Sequence, residues 1–314
     1  MITDIKLLHG DCLELMKDIP DGSMEINKVY CMDNLELMKQ MEDESVDLIY
    51  CDILYGTGRN FGDYQDIKVD KETVMSFYEP RIKEMYRVLN NNGVIVLQCD
   101  YRINHWIRNM LDEVFGYDNF VNEVVWWYKK FSQNNDRTYL TNHDYLIIYS
   151  KGKGYTFNTQ YVVNKDKEKR MSKGYFNCGG GRYLVYDFDK FNKFAKDKDI
   201  PPEKIIDKTD DTPYTRVDDV FRDIMFLNSQ SKERVGYETQ KPKKLVARII
   251  KTFSNEGDIV ADFFCGSGTT GVVAKELGRN YILCDINPRA VEISERRISE
   301  VRNDNREPRR LFTL

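Results

Sequence analysis

The chain has 314 residues, of which 41% are hydrophobic and 31% are charged, and its formal net charge is −4. This length and composition are typical of a globular protein with one large α/β domain and an insertion, or with two modest domains. The net negative charge argues against a protein whose whole surface is positively charged for binding nucleic acid, although a local basic face still permits such binding.

The cysteines and the apolar runs further limit the class of protein to which the chain can belong. Seven cysteines are scattered without a CxxC pair, and only three histidines are present, so we expect reduced thiols and no metal site. Every apolar run is far shorter than a membrane span, and the N-terminal stretch lacks the basic and long apolar segments of a signal peptide. These features predict a cytoplasmic protein that does not bind membranes.

The first half of the chain alternates strand and helix patterns. A short tandem repeat begins at Asp11 and again at Asp33, and only the second copy leads into the apolar strand VDLIYC. The segment KETVMSFYEPRIKEMYRVLNNNG predicts a helix that is broken near Pro80 and ended by its Asn/Gly cluster, before the strand GVIVLQC. The patterns then predict a helix over RINHWIRNMLDEVFG and two strands, NFVNEVVWWYKK and NHDYLIIYSK.

Residues 151–235 lose this alternation. The segment is rich in Lys, Gly, Tyr and Phe near its start and carries Pro201, Pro202 and Pro213 farther on. It therefore predicts an inserted small domain or elaborated loops that lie outside the sheet.

The last part of the chain has the clearest pattern. A short buried-type strand, GDIVADFF, is followed by the glycine turn CGSGTT, the helix TTGVVAKELG, the strand NYILCDIN and a helix that opens at Pro288. This βαβα unit predicts a doubly wound, mostly parallel sheet.

The glycine turn is the first candidate site. Gly266 and Gly268 allow backbone amides to approach a polar ligand at the helix N-terminus, where Thr269 and Thr270 can cap the helix. Such a turn alone is equally consistent with a structural role. The acid at the end of the next strand, Asp285, favours a nucleotide-type site, because an acid there accepts hydrogen bonds from ribose hydroxyls.

Asp52 and Tyr55 form the second candidate site. A carboxylate at the carboxyl end of a strand points into the crevice where open α/β sheets bind ligands. An acid and a flat aromatic ring three residues apart suit a planar amine. The pair also fits a loop cap and a core-packed ring, so this pattern alone leaves both interpretations open.

In chain order, DILYGTGRNF, ETQKP and DFFCGSGTT resemble the motifs of amino-group DNA methyltransferases of the β arrangement, in which the catalytic motif precedes the cofactor loop. The flanking segments YEPRIKEMYRVLNNNGVIVLQCD and LDEVFGYDNFVNEVVW resemble the adenine-modifying subunits of type III restriction–modification systems and their smaller relatives. The resemblance implies a Rossmann-like S-adenosylmethionine-dependent methyltransferase fold. It places a catalytic half in residues 1–150, an inserted target-recognition region in 151–235 and a cofactor-binding half in 236–314.

The resemblance also implies roles for individual residues. Asp52, the carbonyl of Ile53, and Tyr55 would hold the target base. The S-adenosylmethionine site would be formed by Asp33, Thr239, Gln240, Lys241, Asp262, Phe264, Gly266, Gly268, Thr269 and Asp285. Asp11, in the first copy of the tandem repeat, competes with Asp33 for its role.

DNA contacts are expected from basic segments with interleaved aromatic residues. The candidates are Lys129, Lys130, Arg137, Lys167, Lys169 and Arg170. The resemblance further implies a bacterial or phage-encoded protein that forms a homodimer. It leaves two alternatives open: a partner of a cognate restriction endonuclease, and an orphan modification enzyme.

The chain departs from the family at one place. Members of the family usually show Asp-Pro-Pro-Tyr, whereas this chain has Ile53 and Leu54 in place of the two prolines. A backbone carbonyl does not require proline, which only pre-sets φ and stiffens the loop. We therefore expect an intact but less pre-organised site, and the alternative is a catalytically impaired protein that binds DNA or cofactor.

The implied reaction is methylation of the N6 amine of adenine in double-stranded DNA, after the base has been flipped out of the helix. Positioning and electrostatics would provide the acceleration, without a metal or a covalent enzyme intermediate. The N4 amine of cytosine is the nearest alternative. RNA and a protein glutamine are further alternatives, since both present planar amines.

Overall fold

The structure is a computed structural model, and it describes residues 24–58, 60–61, 64–129, 137–163, 174–178, 181–185, 205–206, 214–228 and 230–301. These residues fall into two compact units. The large unit lies within residues 1–158 and 219–314, and the small unit lies within residues 159–218.

The strands, in chain order, are β1 (Lys28–Cys31), β2 (Val46–Asp52), β3 (Asn60–Phe61), β4 (Tyr64–Gln65), β5 (Leu89–Cys99), β6 (Phe120–Trp127), β7 (His143–Ser150), β8 (Tyr161–Val163), β9 (Gly174–Cys178), β10 (Gly181–Val185), β11 (Ile205–Ile206), β12 (Tyr214–Arg216), β13 (Val220–Phe221), β14 (Ile259–Asp262) and β15 (Asn280–Asp285). The helices among the described residues are α1 (Asn34–Gln40), α2 (Lys71–Val88), α3 (Asn104–Phe115), α4 (Lys243–Phe253), α5 (Thr269–Glu276) and α6 (Pro288–Ser299), and a 3₁₀ turn lies at Tyr117–Asn119. In the part of the chain that the structure describes, no helix combines the length and the apolarity needed to cross a bilayer.

The large unit is built on an eight-stranded sheet in the order β1, β15, β14, β2, β5, β7, β6, β13. Strand β7 runs antiparallel to both of its neighbours, and every other pairing in the sheet is parallel. Helices α1 to α3 contact one another, as do α4 to α6, so the helices form two groups. The predicted doubly wound, mostly parallel sheet is confirmed.

The predicted break near Pro80 is wrong, because α2 runs through that residue without interruption. Proline removes one backbone hydrogen bond of the helix. The helix nevertheless buries Val74, Tyr78, Ile82 and Met85 along one face, on both sides of the proline. The helix ends just before the Asn/Gly cluster, as predicted, and the cluster itself belongs to β5, which begins directly after the helix.

The compact small unit is shorter than the predicted insertion of residues 151–235. Within it, β9 pairs antiparallel with β10 and β11, and β12 pairs antiparallel with β8. Strand β13, which falls inside the predicted insertion, instead joins the main sheet beside β6. There it covers the edge that β6 would otherwise expose.

Candidate active site

Four aspartates meet at one edge of the main sheet. Asp52, Asp262 and Asp285 end the adjacent parallel strands β2, β14 and β15, and Asp33 follows the next strand, β1, by two residues. The carboxyl ends of parallel strands form the crevice in which open α/β sheets bind ligands. A cavity of about 740 Å³ opens at this edge.

Eleven of the thirteen residues that the sequence assigned to the catalytic and cofactor sites line this cavity. They are Asp33, Asp52, Ile53, Tyr55, Thr239, Lys241, Asp262, Phe264, Gly266, Thr269 and Asp285. Gln240 is instead bonded within its own loop, where its amide accepts from the Val235 N–H at 2.9 Å and donates to the Glu233 carbonyl at 2.8 Å. Gly268 does not line the cavity, and its backbone forms part of the glycine turn before α5.

The glycine turn depends on backbone conformations that favour glycine. Gly266 and Gly268 have φ values of +50° and +70°. A Cβ on Gly268 would lie 2.5 Å from the Cβ of Ser294, so α6 packs directly on this backbone. The prediction that a threonine side chain caps α5 is wrong: Gly268 is the N-cap and makes no side-chain cap. The Thr269 hydroxyl donates to the Lys241 carbonyl at 3.3 Å instead.

Asp285 and Asp262 hold the turn from two sides. Asp285 accepts from the backbone N–H of Gly266 at 2.9 Å, and burial raises the pKa of its carboxyl group. Asp262 accepts from the Phe264 N–H at 3.0 Å and from the Thr270 hydroxyl. Burial raises the pKa of Asp262 to about 7, against these two bonds, which lower it.

Asp33 has a structural role that its sequence position did not reveal. One carboxylate oxygen caps α1 by accepting from the Leu35 N–H at 2.8 Å, and the other forms an ion pair with Arg81 at 2.7 Å. The Arg81 guanidinium lies 3.8 Å from the centre of the Phe77 ring. Both Arg81 and Phe77 line the cavity, but they lie on α2, where the sequence shows only an ordinary helix pattern.

Asp52 is bonded to two other side chains of the cavity. Its Oδ1 accepts from the Tyr55 hydroxyl at 2.7 Å, and its Oδ2 forms an ion pair with the Lys241 Nζ, also at 2.7 Å. The ammonium lies 5.1 Å from the centre of the Tyr55 ring. Burial raises the pKa of Asp52, and Lys241 opposes that shift, because the ammonium favours the ionised form.

The loop without prolines is held by hydrogen bonds. The Ile53 N–H donates to the Gln98 carbonyl at 3.1 Å, a bond that a proline at this position could not make, and the Ile53 side chain is buried. The Tyr78 hydroxyl donates to the Leu54 carbonyl at 2.9 Å. The two substituted residues are therefore both fixed to neighbouring elements.

Asp66 fixes the part of the loop that follows Tyr55. Its carboxylate accepts from the backbone N–H of Gly56 at 2.9 Å and of Thr57 at 2.6 Å, and from the Thr57 hydroxyl. Asp66 also lines the cavity. No sequence pattern indicates this role, since an acid in a polar loop is ordinary.

A second carboxylate lies behind Tyr55. Asp144, which is only 4% exposed, accepts from the Tyr55 hydroxyl at 2.9 Å, the Tyr128 hydroxyl at 2.8 Å and the Gln98 amide at 3.0 Å. These residues belong to β2, β5, β6 and β7 or to the loops that follow them. No sequence pattern distinguishes Asp144, because a polar residue at the start of an apolar strand is ordinary.

The expected DNA contacts are described only in part. Lys129, just after β6, and Arg137 are exposed. Trp127, at the end of β6, is 39% exposed. Lys130, Lys167, Lys169 and Arg170 lie outside the described residues, as does Asp11, the competitor of Asp33.

Comparison with known proteins places the chain among DNA-modifying enzymes. Residues 46–296 match the model of the DNA methylase family, which covers N6 and N4 methyltransferases. The chain is 27% identical to the type II methyltransferase M.HpaI of Haemophilus parainfluenzae, over 86% of this chain and 74% of that protein. It is 28% identical to the DNA adenine methyltransferase YhdJ of Escherichia coli K12, over 85% and 80%. The crystal structure of the M1.HpyAVI–SAM complex has the same fold, with a TM-score of 0.52 and 20% identity over 86% of this chain and 98% of that one.

Proposed function

Because this chain belongs to the DNA methylase family, we propose that it transfers a methyl group from S-adenosylmethionine to the N6 amine of adenine in double-stranded DNA. Methylation of DNA with this cofactor is the activity of the family. The choice of adenine N6, the flipping of the base and the role of each residue are the proposal. The observation that carries it is the pairing of Asp52 with Tyr55 in the cavity that also contains the glycine turn.

The cavity suits the cofactor by its own chemistry. Part of its lining is aromatic, and the strand-end carboxylates provide acceptors for hydroxyl groups. Gly266 has no side chain, so a ligand can approach its backbone closely. Phe264, Gly266 and Thr269 would surround the methionine part, Asp285 would accept from the ribose hydroxyls, and Asp33 would lie near the adenine. When bound, the cofactor supplies a methyl carbon that is activated by the sulfonium charge.

Asp52 and the Ile53 carbonyl would accept the two hydrogens of the target amine. The lone pair of an exocyclic amine is delocalised into the base, so the amine is a weak nucleophile. Two acceptors favour a pyramidal nitrogen with a more available lone pair. The Tyr55 hydroxyl fixes Asp52 Oδ1, which leaves Oδ2 to face the amine once Lys241 moves aside.

The recessed position of Asp52 supports base flipping. Its side chain is 18% exposed and lies within the cavity. An amine that is paired inside a duplex cannot reach a carboxylate at that depth, so the nucleotide has to leave the stack. The Tyr55 ring, which also lines the cavity, would stack on the extruded base.

The exposed basic residues support DNA binding at the same edge of the sheet. Lys129 follows β6, which runs in the same direction as β2, so its position corresponds to that of Asp52 on its own strand. Lys129 and Arg137 would contact phosphates, which give affinity without sequence choice. We propose that the small unit, within residues 159–218, is the target-recognition region and makes the contacts to the DNA bases. A homodimer and a cognate restriction endonuclease stay predictions.

The N4 amine of cytosine is the second candidate acceptor. The matching family covers both N6 and N4 methyltransferases. A carboxylate and an aromatic ring hold an exocyclic amine without reading which ring carries it. The contacts that choose between the two bases therefore lie beyond the Asp52–Tyr55 pair.

Expression in a host that lacks adenine methylation tests the proposal. Single-molecule sequencing of the host DNA should show N6-methyladenine at one short sequence motif, and an Asp52→Asn variant expressed at the same level should leave that motif unmodified. N4-methylcytosine at a motif would replace the proposal by the second candidate. Unmodified DNA from a host with abundant folded wild-type protein would contradict both.

A further inference from the structure

The Tyr55 hydroxyl lies between two carboxylates. It is 2.7 Å from Asp52 Oδ1 and 2.9 Å from Asp144 Oδ2. The Gln98 amide nitrogen lies 3.3 Å from the same hydroxyl oxygen. Asp144 and Gln98 are both buried, so water does not separate these groups from one another.

The hydroxyl carries one proton, and two carboxylates compete for it. It can donate to Asp52 or to Asp144, but not to both at once. When Asp52 becomes neutral it is a weaker acceptor, so the hydroxyl proton is free to go to Asp144. The Tyr55 hydroxyl therefore couples the two carboxylates to each other.

We propose that Asp144 is a positioning residue of the catalytic site, which holds the Tyr55 hydroxyl against Asp52 and places a second negative charge behind it. This inference rests on the proposed function, in which Asp52 accepts hydrogen from the target amine. Asp144 itself stays out of reach of the base, because Tyr55 and the surrounding strands cover it.

Asp144 acts on Asp52 through charge as well as through geometry. The titratable and charged groups around the two carboxylates are Tyr50, Tyr55, Cys99, Asp100, Tyr128, Lys241 and Asp262. Lys241 is the cation among them, and it lies on the Oδ2 side of Asp52. The negative charge of Asp144 contributes to the raised pKa of Asp52, after the larger effect of burial. A more basic Asp52 is a stronger acceptor for the proton that the methylated amine releases.

The proton transfer is balanced. The N–H bond of the methylated amine breaks, its electron pair stays on nitrogen, and the proton forms a bond to Asp52 Oδ2, the oxygen that faces the amine. Asp52 becomes neutral, and the Tyr55 hydroxyl then donates its one proton to Asp144. The proton leaves to solvent after the product base has left the cavity.

A purely structural role for Asp144 predicts different behaviour. Asp144 accepts from Tyr128 and Gln98 as well, so its loss could simply disturb packing between β5, β6 and β7. A packing defect would lower stability and activity at every pH alike. Removal of the charge behind Tyr55 would instead move the pH at which Asp52 titrates.

The experiment compares Asp144→Asn with Asp144→Glu and with Asp100→Asn in the full chain. Asparagine keeps the shape and an acceptor for Tyr128 but removes the charge. Asp100 is a matched control, since it is also a buried aspartate next to a strand terminus, but its carboxylate is bonded to Arg102. Two quantities are measured: the pH profile of kcat/KM for DNA methylation, and the titration of Asp52 by carbon NMR of the protein labelled at the aspartate carboxyl carbons. The Asp52 signal is assigned by its loss in Asp52→Asn.

We expect Asp144→Asn to move both the Asp52 titration and the acidic limb of the kcat/KM profile to lower pH by about one unit. We also expect kcat to fall roughly tenfold while KM for the cofactor is unchanged. Asp144→Glu should recover part of the kcat, and Asp100→Asn should leave both curves in place.

An Asp52 titration that does not move in a folded Asp144→Asn protein would overturn the inference, and so would an equal shift in Asp100→Asn. The NMR titration needs no turnover. If the wild type fails to methylate DNA but the titration moves as expected, the proposed function fails while the coupling of Asp144 to Asp52 stands.

Discussion

The Lys241 ammonium is bonded to the carboxylate that is proposed to receive the target amine. Its Nζ lies 2.7 Å from Asp52 Oδ2 and 5.1 Å from the centre of the Tyr55 ring. A nitrogen donor in contact with Asp52 and near the Tyr55 ring occupies the position that the amine of a base would take. Lys241 therefore favours the ionised form of the buried Asp52, and in the proposed mechanism the base displaces it.

Replacement of Lys241 by methionine should move the acidic limb of the kcat/KM profile to higher pH. Burial raises the pKa of Asp52 and Lys241 lowers it, so loss of the ammonium lets that pKa rise further. We expect a shift of about one pH unit. Lys243→Met is the control, since Lys243 pairs with Glu276 on α5 and does not line the cavity. A limb that stays in place, or moves to lower pH, would contradict this role.

Removal of Asp66 should loosen the loop that follows Tyr55 without loss of the fold. Asp66→Ala removes the acceptor of the Gly56 and Thr57 backbone amides. We expect kcat to fall roughly tenfold or more with the cofactor Kd unchanged, because misplacement of catalytic groups lowers the rate rather than cofactor binding. Steady-state kinetics and calorimetric cofactor titration measure the two effects.

The control for the loop is Asp70→Ala. Asp70 caps α2 by accepting from the Thr73 N–H at 2.9 Å, so its loss should lower stability slightly and leave kcat within about twofold. Equal kcat values for the two variants would show that Asp66 does not position the loop.

Arg81 should contribute to cofactor affinity. It joins Asp33, Asn34 and the Phe77 ring at one end of the cavity. Arg81→Met should weaken binding of S-adenosylmethionine about tenfold, since Asp33 loses its partner and Phe77 its packing. Arg87→Met, on the same helix but outside the cavity, should leave the Kd unchanged. The measurement is isothermal titration calorimetry, and equal Kd values for the two variants would refute the role.

Asp262 should make the protein less stable as the pH rises. Its folded pKa of about 7 lies above the ordinary value of 3.8, so the folded state binds the proton more tightly than the unfolded state. Stability is therefore lost as the pH rises between these two values, and the penalty is complete above pH 7.

The Asp262→Asn variant should lack this penalty. Relative to the wild type, its free energy of unfolding should be higher at pH 8 than at pH 5 by roughly 3 kcal/mol. Urea unfolding of both proteins at the two pH values measures the difference. An equal difference between the two proteins at pH 5 and pH 8 would show that Asp262 does not titrate in this range.

The sequence alone predicts those parts of the site that consist of residues close together in the chain. Asp52 and Asp285 end apolar strands, and the glycine turn lies between a strand and a helix, so both the sheet edge and the turn follow from short patterns. The strand-end rule also explains why so many of the predicted residues line one cavity.

The remaining parts depend on contacts between distant elements. Arg81 and Asp66 reach the cavity, and Asp144 reaches the Tyr55 hydroxyl behind it, only after α2, β7 and the loop beyond Tyr55 have packed beside β2. No local pattern distinguishes these residues from an ordinary helix, strand or loop residue. The unbroken α2 has the same cause, since tertiary burial on both sides of Pro80 outweighs the local effect of proline.

The most direct test of the account is methyl transfer in vitro by the wild type and by Asp52→Asn. Each purified protein is incubated with unmethylated DNA and isotopically labelled S-adenosylmethionine. The DNA is then digested to nucleosides, which are separated and identified by mass spectrometry. Cofactor affinity is measured for both proteins. The account predicts labelled N6-methyladenine from the wild type and none above background from Asp52→Asn, which should bind the cofactor about equally well. Equal labelling by both proteins, or no labelled base from a wild type that binds cofactor and DNA, would contradict it.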